Sequence, residues 1–139
     1  IVIALAALLS ATLVERVDRT AGLWVLPVFM TLAALSVWYW HWTEVQGRGN
    51  LNFYIVTQFY SILLIVWISA RFPSRYSHAH DIYQVIALYA VAKVAEMLDG
   101  GIFIWIDGLI SGHTLKHLIA AYAVYQIVRI LRKRRIIDP

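Results

Sequence analysis

Five apolar segments dominate this 139-residue chain; four of them have the length that a membrane-crossing helix needs, and the first, 1–14, is shorter. Such a helix takes about 20 mostly apolar residues, within a range of about 17–25. No alternating strand pattern occurs, and lipid tolerates only helices or closed barrels. The sequence therefore predicts an all-α, polytopic transmembrane bundle that forms a single domain over residues 1–139. Its five predicted helices are 1–14, 22–41, 51–70, 82–98 and 108–131.

The composition agrees with a membrane location. Hydrophobic residues make up 61% of the chain and charged residues 14%, against about 45–50% and about 25% in a soluble domain. This excludes a soluble enzyme, a nucleic-acid module and a disordered tail. With no Cys, the chain has no disulfide, thiolate nucleophile or Cys-based metal site. Basic residues cluster beside the last apolar segment, at 129 and 132–135, which is typical of a membrane anchor rather than a nucleic-acid patch. The predicted partner is the lipid bilayer, with no nucleic acid.

The short connections predict an orientation. Arg residues lie in the 15–21 and 71–81 links and in the basic tail, whereas 42–50 has one Arg and 99–107 has none. Because Lys and Arg concentrate in cytoplasmic loops, we expect the C-terminal end to face the cytoplasm. The chain starts with Ile and lacks a positively charged leader, so we also expect it to begin within a helix, with further helices upstream.

Polar side chains inside apolar spans are functional candidates, because lipid makes them costly. The intramembrane candidates are Gln58, Lys93, Glu96, His113, Lys116 and His117. The other three histidines are interpreted as ordinary surface residues: His41 lies between two Trp residues, and His78 and His80 lie in a loop.

His113 and His117 are four residues apart near the start of the predicted fifth helix. This spacing places both imidazoles on one face, where two nitrogens can converge on one zinc ion. With Asp107 as the helix cap, the histidines lie about 7 and 13 Å into the helix. We expect both rings to point into the bundle. The alternative, with comparable weight, is that they only form hydrogen bonds with neighbouring groups.

Lys93 and Glu96 are three residues apart and can form an ion pair on one helix face. The favoured interpretation is a buried structural pair, with Lys116 either pairing to Glu96 or Asp99 or extending its ammonium group to the membrane surface. The functional alternative is that Glu96 orients an imidazole of the histidine pair. In either case, Glu96 is expected within reach of Lys93, Lys116 or the histidines.

The segment Ser111-Gly112-His113-Thr114-Leu115-Lys116-His117-Leu118 follows a helix with Ala92-Lys93-Val94-Ala95-Glu96-Met97-Leu98-Asp99. Together they resemble the C-terminal part of bacterial alkaline ceramidase-like membrane proteins. That group belongs with alkaline ceramidases and progestin/adiponectin-type receptors in a superfamily of seven-helix metal hydrolases. The Gly47-Arg48-Gly49-Asn50-Leu51 turn and the helix with Gln58 are also similar.

The resemblance implies a zinc-dependent intramembrane hydrolase that cleaves a lipid amide such as ceramide, in a bacterial inner membrane. It implies zinc binding by His113 and His117, together with a third His on an early helix. The family's Ser-x-x-x-His and Asp have no counterpart in this sequence and would fall before Ile1. The five predicted helices would then be the last five of seven.

The alternative function is a non-enzymatic membrane protein, either a receptor-like sensor or a structural or transport subunit. In that case the charged residues and the histidine pair only hold helices together. A Ser-x-x-x-His followed by an Asp, encoded upstream of Ile1, would favour the hydrolase.

Overall fold

The computed structural model describes residues 1–105 and 107–137, and this part of the chain is helical with no strand. The all-α prediction is therefore confirmed. The chain divides into two compact units, residues 1–75 and 76–139, and the single domain stays a prediction. The helices are α1 (Val2–Arg16), α2 (Arg19–Val45), α3 (Asn52–Arg71), α4 (Asp81–Met97), α5 (Asp99–Trp105) and α6 (Gly112–Lys133).

The predicted helices match five of these six, and the short helix α5 was not predicted. Gly100 and Gly101 lie inside α5, because glycine costs a helix only about 1 kcal/mol relative to Ala and does not forbid it. The last predicted helix begins at Gly112 rather than at 108. Asp107 does not cap it: this residue has a φ of 49° and lies outside any helix.

Helix α2 is longer than predicted at both ends. Asp18 caps its first turn, because the Asp18 carboxylate accepts a hydrogen bond from the Ala21 N–H at 2.7 Å. Because α2 begins at Arg19, Pro27 lies in the helix interior. Proline has no N–H to donate there. The Thr31 hydroxyl donates to the Pro27 carbonyl at 2.8 Å.

In the first unit, α1 packs against both α2 and α3. The buried positions include Leu9 and Ile65 together with small residues such as Ser36 and Ser61. Small side chains let helices approach closely where lipid removes the hydrophobic driving force. The hydroxyls of Ser36 and Ser61 each donate to a carbonyl of their own helix at 2.8 Å, so their burial leaves no polar group unpaired.

Arg16 joins the end of α1 to the end of α3. Its Nη1 donates to the carbonyls of Ser69 at 3.2 Å and Phe72 at 2.6 Å. The last carbonyls of a helix have no partner within the helix, so a guanidinium there supplies both hydrogen bonds and a favourable charge. The Ser74 hydroxyl also donates to the carboxylate of the adjacent Glu15.

In the second unit, α4 packs against α6, and α5 contacts both. Gly112 makes the close approach possible. A Cβ at this position would overlap the Ala95 carbonyl oxygen and lie 2.7 Å from the Asp99 Cα. Ala92, Ala95 and Ala123 are buried in the same unit. Small residues therefore set the spacing between these two helices.

Two helices, α2 and α3, are long and apolar enough to cross a membrane among the residues that the structure describes. Only 17% and 28% of their most apolar windows are buried within the chain, so most of this apolar surface is exposed in the described chain. Trp24, Trp38 and Trp67 are each at least 60% exposed. These features support a membrane association. Helices α1 and α4 have 15 and 17 residues, and α6 has 22 residues but is not among the candidate spans. The five-span bundle stays a prediction.

Candidate metal centre

The first two turns of α6 carry the histidine pair, and three contacts fix the start of this helix. The Ser111 hydroxyl accepts a hydrogen bond from the Thr114 N–H at 3.1 Å and caps the helix. The Asp99 carboxylate accepts from the His113 N–H at 2.7 Å. Gly112 lies against α4. Two of the free N–H groups at the helix start are thus satisfied, and the turn that holds His113 is anchored to α4 and α5.

The structure brings the two predicted metal ligands together. The Nε2 atoms of His113 and His117 are 3.0 Å apart, and their ring centroids are 4.7 Å apart at an interplanar angle of 74°. Two zinc–nitrogen bonds of about 2.0–2.1 Å at a tetrahedral angle place the nitrogens about 3.3 Å apart. A shift of a few tenths of an ångström would therefore let both nitrogens bind one ion. Without an ion, the same approach is a hydrogen bond between the rings.

The donor set fits two positions of a zinc site. Zinc generally takes at least three protein ligands in a catalytic site. Among the described residues, no group of three or more His, Cys, Asp or Glu side chains is arranged to hold a metal ion. Asp99 Oδ1, close to His113, is already engaged by a backbone N–H. The described residues thus offer two zinc ligands, His113 and His117.

The two histidines are more accessible than predicted. Because α6 begins at Gly112, His113 is its second residue and His117 lies only about 7–8 Å from the helix start. Both residues are exposed in the described chain, whereas inward-pointing rings were expected. The shallower position of His117 follows from the cap at Ser111, which shortens the helix by four residues relative to the predicted start at 108.

Glu96 pairs with two lysines. Its Oε2 is 2.8 Å from Lys93 Nζ, and its Oε1 is 2.9 Å from Lys116 Nζ. The prediction that Glu96 reaches these partners is confirmed. The pair with Lys93 is not buried, since the Lys93 side chain is 46% exposed, but the Lys116 side chain is only 15% exposed. The Lys116 pair is the one that joins α4 to α6.

Lys116 also approaches the face of α6 that carries His113 and His117, and its Nζ lies 3.5 Å from His113 Nδ1. An ammonium group can only donate, so this contact favours an unprotonated Nδ1 and a proton on His113 Nε2. The proton on His113 Nε2 then points at His117 Nε2 and lies between the two nitrogens, where a zinc ion would have to bind. Zinc binding through both Nε2 atoms needs the opposite arrangement, with the His113 proton on Nδ1. The Lys116 contact therefore opposes metal binding.

Ser111 and Asp99 were not predicted as parts of this site. Ser111 carried a detectable signal, because Ser directly before a helical segment is a preferred cap. Asp107 offered the same signal four residues earlier. The role of Asp99, which accepts from the His113 backbone 14 residues away, had no local signal because it depends on how α5 turns back to α6.

Comparison with known proteins adds no family assignment: no protein family, curated protein or solved structure matches this chain.

Proposed function

We propose that this chain contributes the last-helix zinc ligands of an intramembrane hydrolase that acts on a lipid amide, with a ceramide-like substrate. The observation that carries the proposal is the 3.0 Å separation of the Nε2 atoms of His113 and His117. The separation is close to what tetrahedral zinc requires, and it lies within the segment that resembles the bacterial alkaline ceramidase-like proteins. The bundle would have five spans here, in a bacterial inner membrane with its C-terminal end in the cytoplasm.

The role of this chain's residues would be to hold the zinc ion and to position its two ligands. His113 and His117 hold two coordination sites, and Ser111, Gly112 and Asp99 fix the backbone that carries them. When bound, zinc supplies Lewis acidity for polarising an amide carbonyl and activating water. The exposed apolar surfaces of the helices suit a substrate that arrives from the bilayer. The third His, the Asp and the Ser of the resembled family would come from a segment outside this sequence.

The first experiment measures zinc binding to the detergent-solubilised chain by isothermal titration calorimetry. We expect about one weakly bound zinc per chain, and we expect His113→Ala and His117→Ala each to abolish it. The matched control is His78→Ala/His80→Ala, which removes two histidines from a loop and should bind zinc like the wild type. Equal binding by all variants would show that the pair does not hold metal.

The second experiment tests the activity with the chain and its upstream coding segment. If that segment supplies a Ser-x-x-x-His and an Asp, the longer protein should release fatty acid from a ceramide in mixed micelles. His113→Ala and His117→Ala should remove both zinc and fatty-acid release. Zinc retention without lipid amide hydrolysis would contradict the substrate assignment and leave the metal site standing.

A second candidate, a non-enzymatic membrane protein, is favoured by the contacts that His113 and Lys116 already make. The histidines can satisfy each other, and the Lys116–Glu96 pair joins α4 and α6 without any ligand. In this case, the cluster stabilises the helix pair of a sensor or subunit. His113→Ala would then lower the thermal unfolding midpoint and leave zinc content unchanged.

A further inference from the structure

The basic segment that follows α6 is hydrogen-bonded to the loop that precedes α4. The Ser77 N–H donates to the Arg135 carbonyl at 2.9 Å, and the Arg135 N–H donates to the Ser77 hydroxyl at 2.9 Å. Tyr76 and Ile136 form an antiparallel bridge. We call this pairing of residues 76–77 with residues 134–136 the tail clasp. It ties the end of α6 to the loop that precedes α4.

A cation–π contact completes the tail clasp. The Arg134 guanidinium carbon lies 4.0 Å from the centroid of the Tyr76 ring, within the distance at which such a contact is favourable. Arg134 is therefore used internally and is only partly exposed. Its neighbours Arg132, Lys133 and Arg135 are all exposed. The four consecutive cations thus separate into one that holds the structure and three that face outward.

The three outward cations have no acidic partner among the described residues. The one carboxylate in the adjoining loop region that forms an ion pair is Asp81, whose Oδ2 is 3.4 Å from His78 Nδ1. Because the tail clasp fixes the backbone at Arg135 and the helix fixes it at Arg132 and Lys133, the three charges are held at one end of the α4–α6 pair. Little backbone entropy remains to be lost when an anion binds.

We infer that Arg132, Lys133 and Arg135 form a docking surface for the headgroups of anionic phospholipids, held in place by the tail clasp. Charge complementarity selects the partner: basic clusters immediately beside a membrane helix attract the anionic leaflet, and Arg matches phosphate geometry with paired donors. The apolar residues Ile130 and Leu131 precede the cluster directly, so the surface would lie at the headgroup boundary if the last predicted span crosses the membrane. The inference is independent of the hydrolase assignment and uses none of the histidines.

The test is a binding titration of the folded chain in a neutral detergent. The probes are short-chain phosphatidylglycerol, phosphatidylcholine of equal chain length, and inorganic phosphate. We expect binding of phosphatidylglycerol alone. Arg132→Gln/Lys133→Gln/Arg135→Gln should weaken it by about 10- to 100-fold, given the attraction that each basic residue contributes near an anionic surface. The matched control, Arg19→Gln/Arg48→Gln/Arg71→Gln, removes three exposed cations from the other unit and should bind like the wild type.

Two further variants test whether lipid binding needs the tail clasp or only the positive charges. Ser77→Ala deletes the hydroxyl that accepts from Arg135, and Tyr76→Leu deletes the ring under Arg134, without changing the net charge. Each should weaken phosphatidylglycerol binding by about 3- to 10-fold, with helix content by circular dichroism unchanged, whereas Tyr76→Phe keeps the ring and should bind normally. Undiminished binding by Ser77→Ala and Tyr76→Leu overturns the role of the tail clasp. Equal loss in the control triple variant, or equal binding of phosphate or phosphatidylcholine, overturns the docking surface.

Discussion

Lys116 Nζ lies 2.9 Å from Glu96 Oε1 and 3.5 Å from His113 Nδ1. One ammonium group therefore links the α4–α6 contact to the face that carries the candidate metal ligands. Its two contacts have opposite consequences. The ion pair with Glu96 stabilises the packing of the two helices, while the approach to His113 favours the imidazole tautomer that cannot bind zinc through Nε2.

Lys116→Met should separate these two effects. The variant keeps most of the aliphatic stem and removes the charge, so we expect zinc affinity to rise by about 3- to 10-fold as the cation beside His113 disappears. The same variant should lower the free energy of unfolding, because Glu96 loses its better-buried partner. Calorimetric zinc titration and chemical unfolding of the same preparation measure both quantities. Unchanged or weaker zinc binding would show that Lys116 does not oppose the metal.

The two lysines on Glu96 should contribute unequally to stability. Lys116→Ala is expected to cost about 1–3 kcal/mol, because it leaves a partly buried carboxylate with fewer hydrogen bonds. Lys93→Ala should cost about 0–1 kcal/mol, as for exposed ion pairs, because the Lys93 side chain is 46% exposed. Denaturant unfolding followed by circular dichroism compares them. A larger loss for Lys93 would reverse the assignment.

Gly112→Ala should disrupt the α4–α6 contact. A methyl group at this position would overlap the Ala95 carbonyl, and overpacking of this kind costs about 1–3 kcal/mol or more. Gly101→Ala is the matched control, since no atom lies within 4 Å of its Cβ position, and alanine should stabilise α5 by up to about 1 kcal/mol. Thermal unfolding midpoints of the two variants should therefore move in opposite directions.

Arg16→Gln should destabilise the first unit. The shorter amide cannot donate to the Ser69 and Phe72 carbonyls as the guanidinium does, and unsatisfied, partly buried acceptors cost about 1–3 kcal/mol. Arg19→Gln removes an exposed cation that has no ion pair among the described residues and should change the unfolding free energy by less than about 0.5 kcal/mol. Similar values for both variants would mean that the end of α3 is satisfied in another way.

A chelator should strip zinc from this chain with little structural effect. Two imidazoles hold metal weakly, and a site with at least three ligands is the usual requirement. Addition of EDTA should therefore remove zinc within the mixing time and leave helix content unchanged, because neither histidine side chain satisfies the backbone of α6. Slow metal release, or loss of helix on chelation, would indicate additional ligands.

The sequence by itself determined the helical class and most helix positions, because apolar runs of about 20 residues and the absence of alternation leave few other structures. It also determined that His113 and His117 share a face and that Lys93 and Glu96 can pair, since these follow from helical spacing alone. Local rules were less decisive where two signals competed. Asp107 and Ser111 were both acceptable caps, and only Ser111 has the extended backbone and the bond to Thr114 that a cap requires.

Tertiary structure decided every contact between residues distant in the chain. Arg16 donates to a carbonyl at the end of α3. The Asp99 carboxylate accepts from the His113 N–H, and the Ser77 hydroxyl accepts from the Arg135 N–H. These contacts depend on how closely helices approach, which is set by shape at positions such as Gly112, and on which polar groups the packing leaves unpaired. A helical period fixes the direction of a side chain from its own axis, but the partner that it meets depends on the fold of the whole unit.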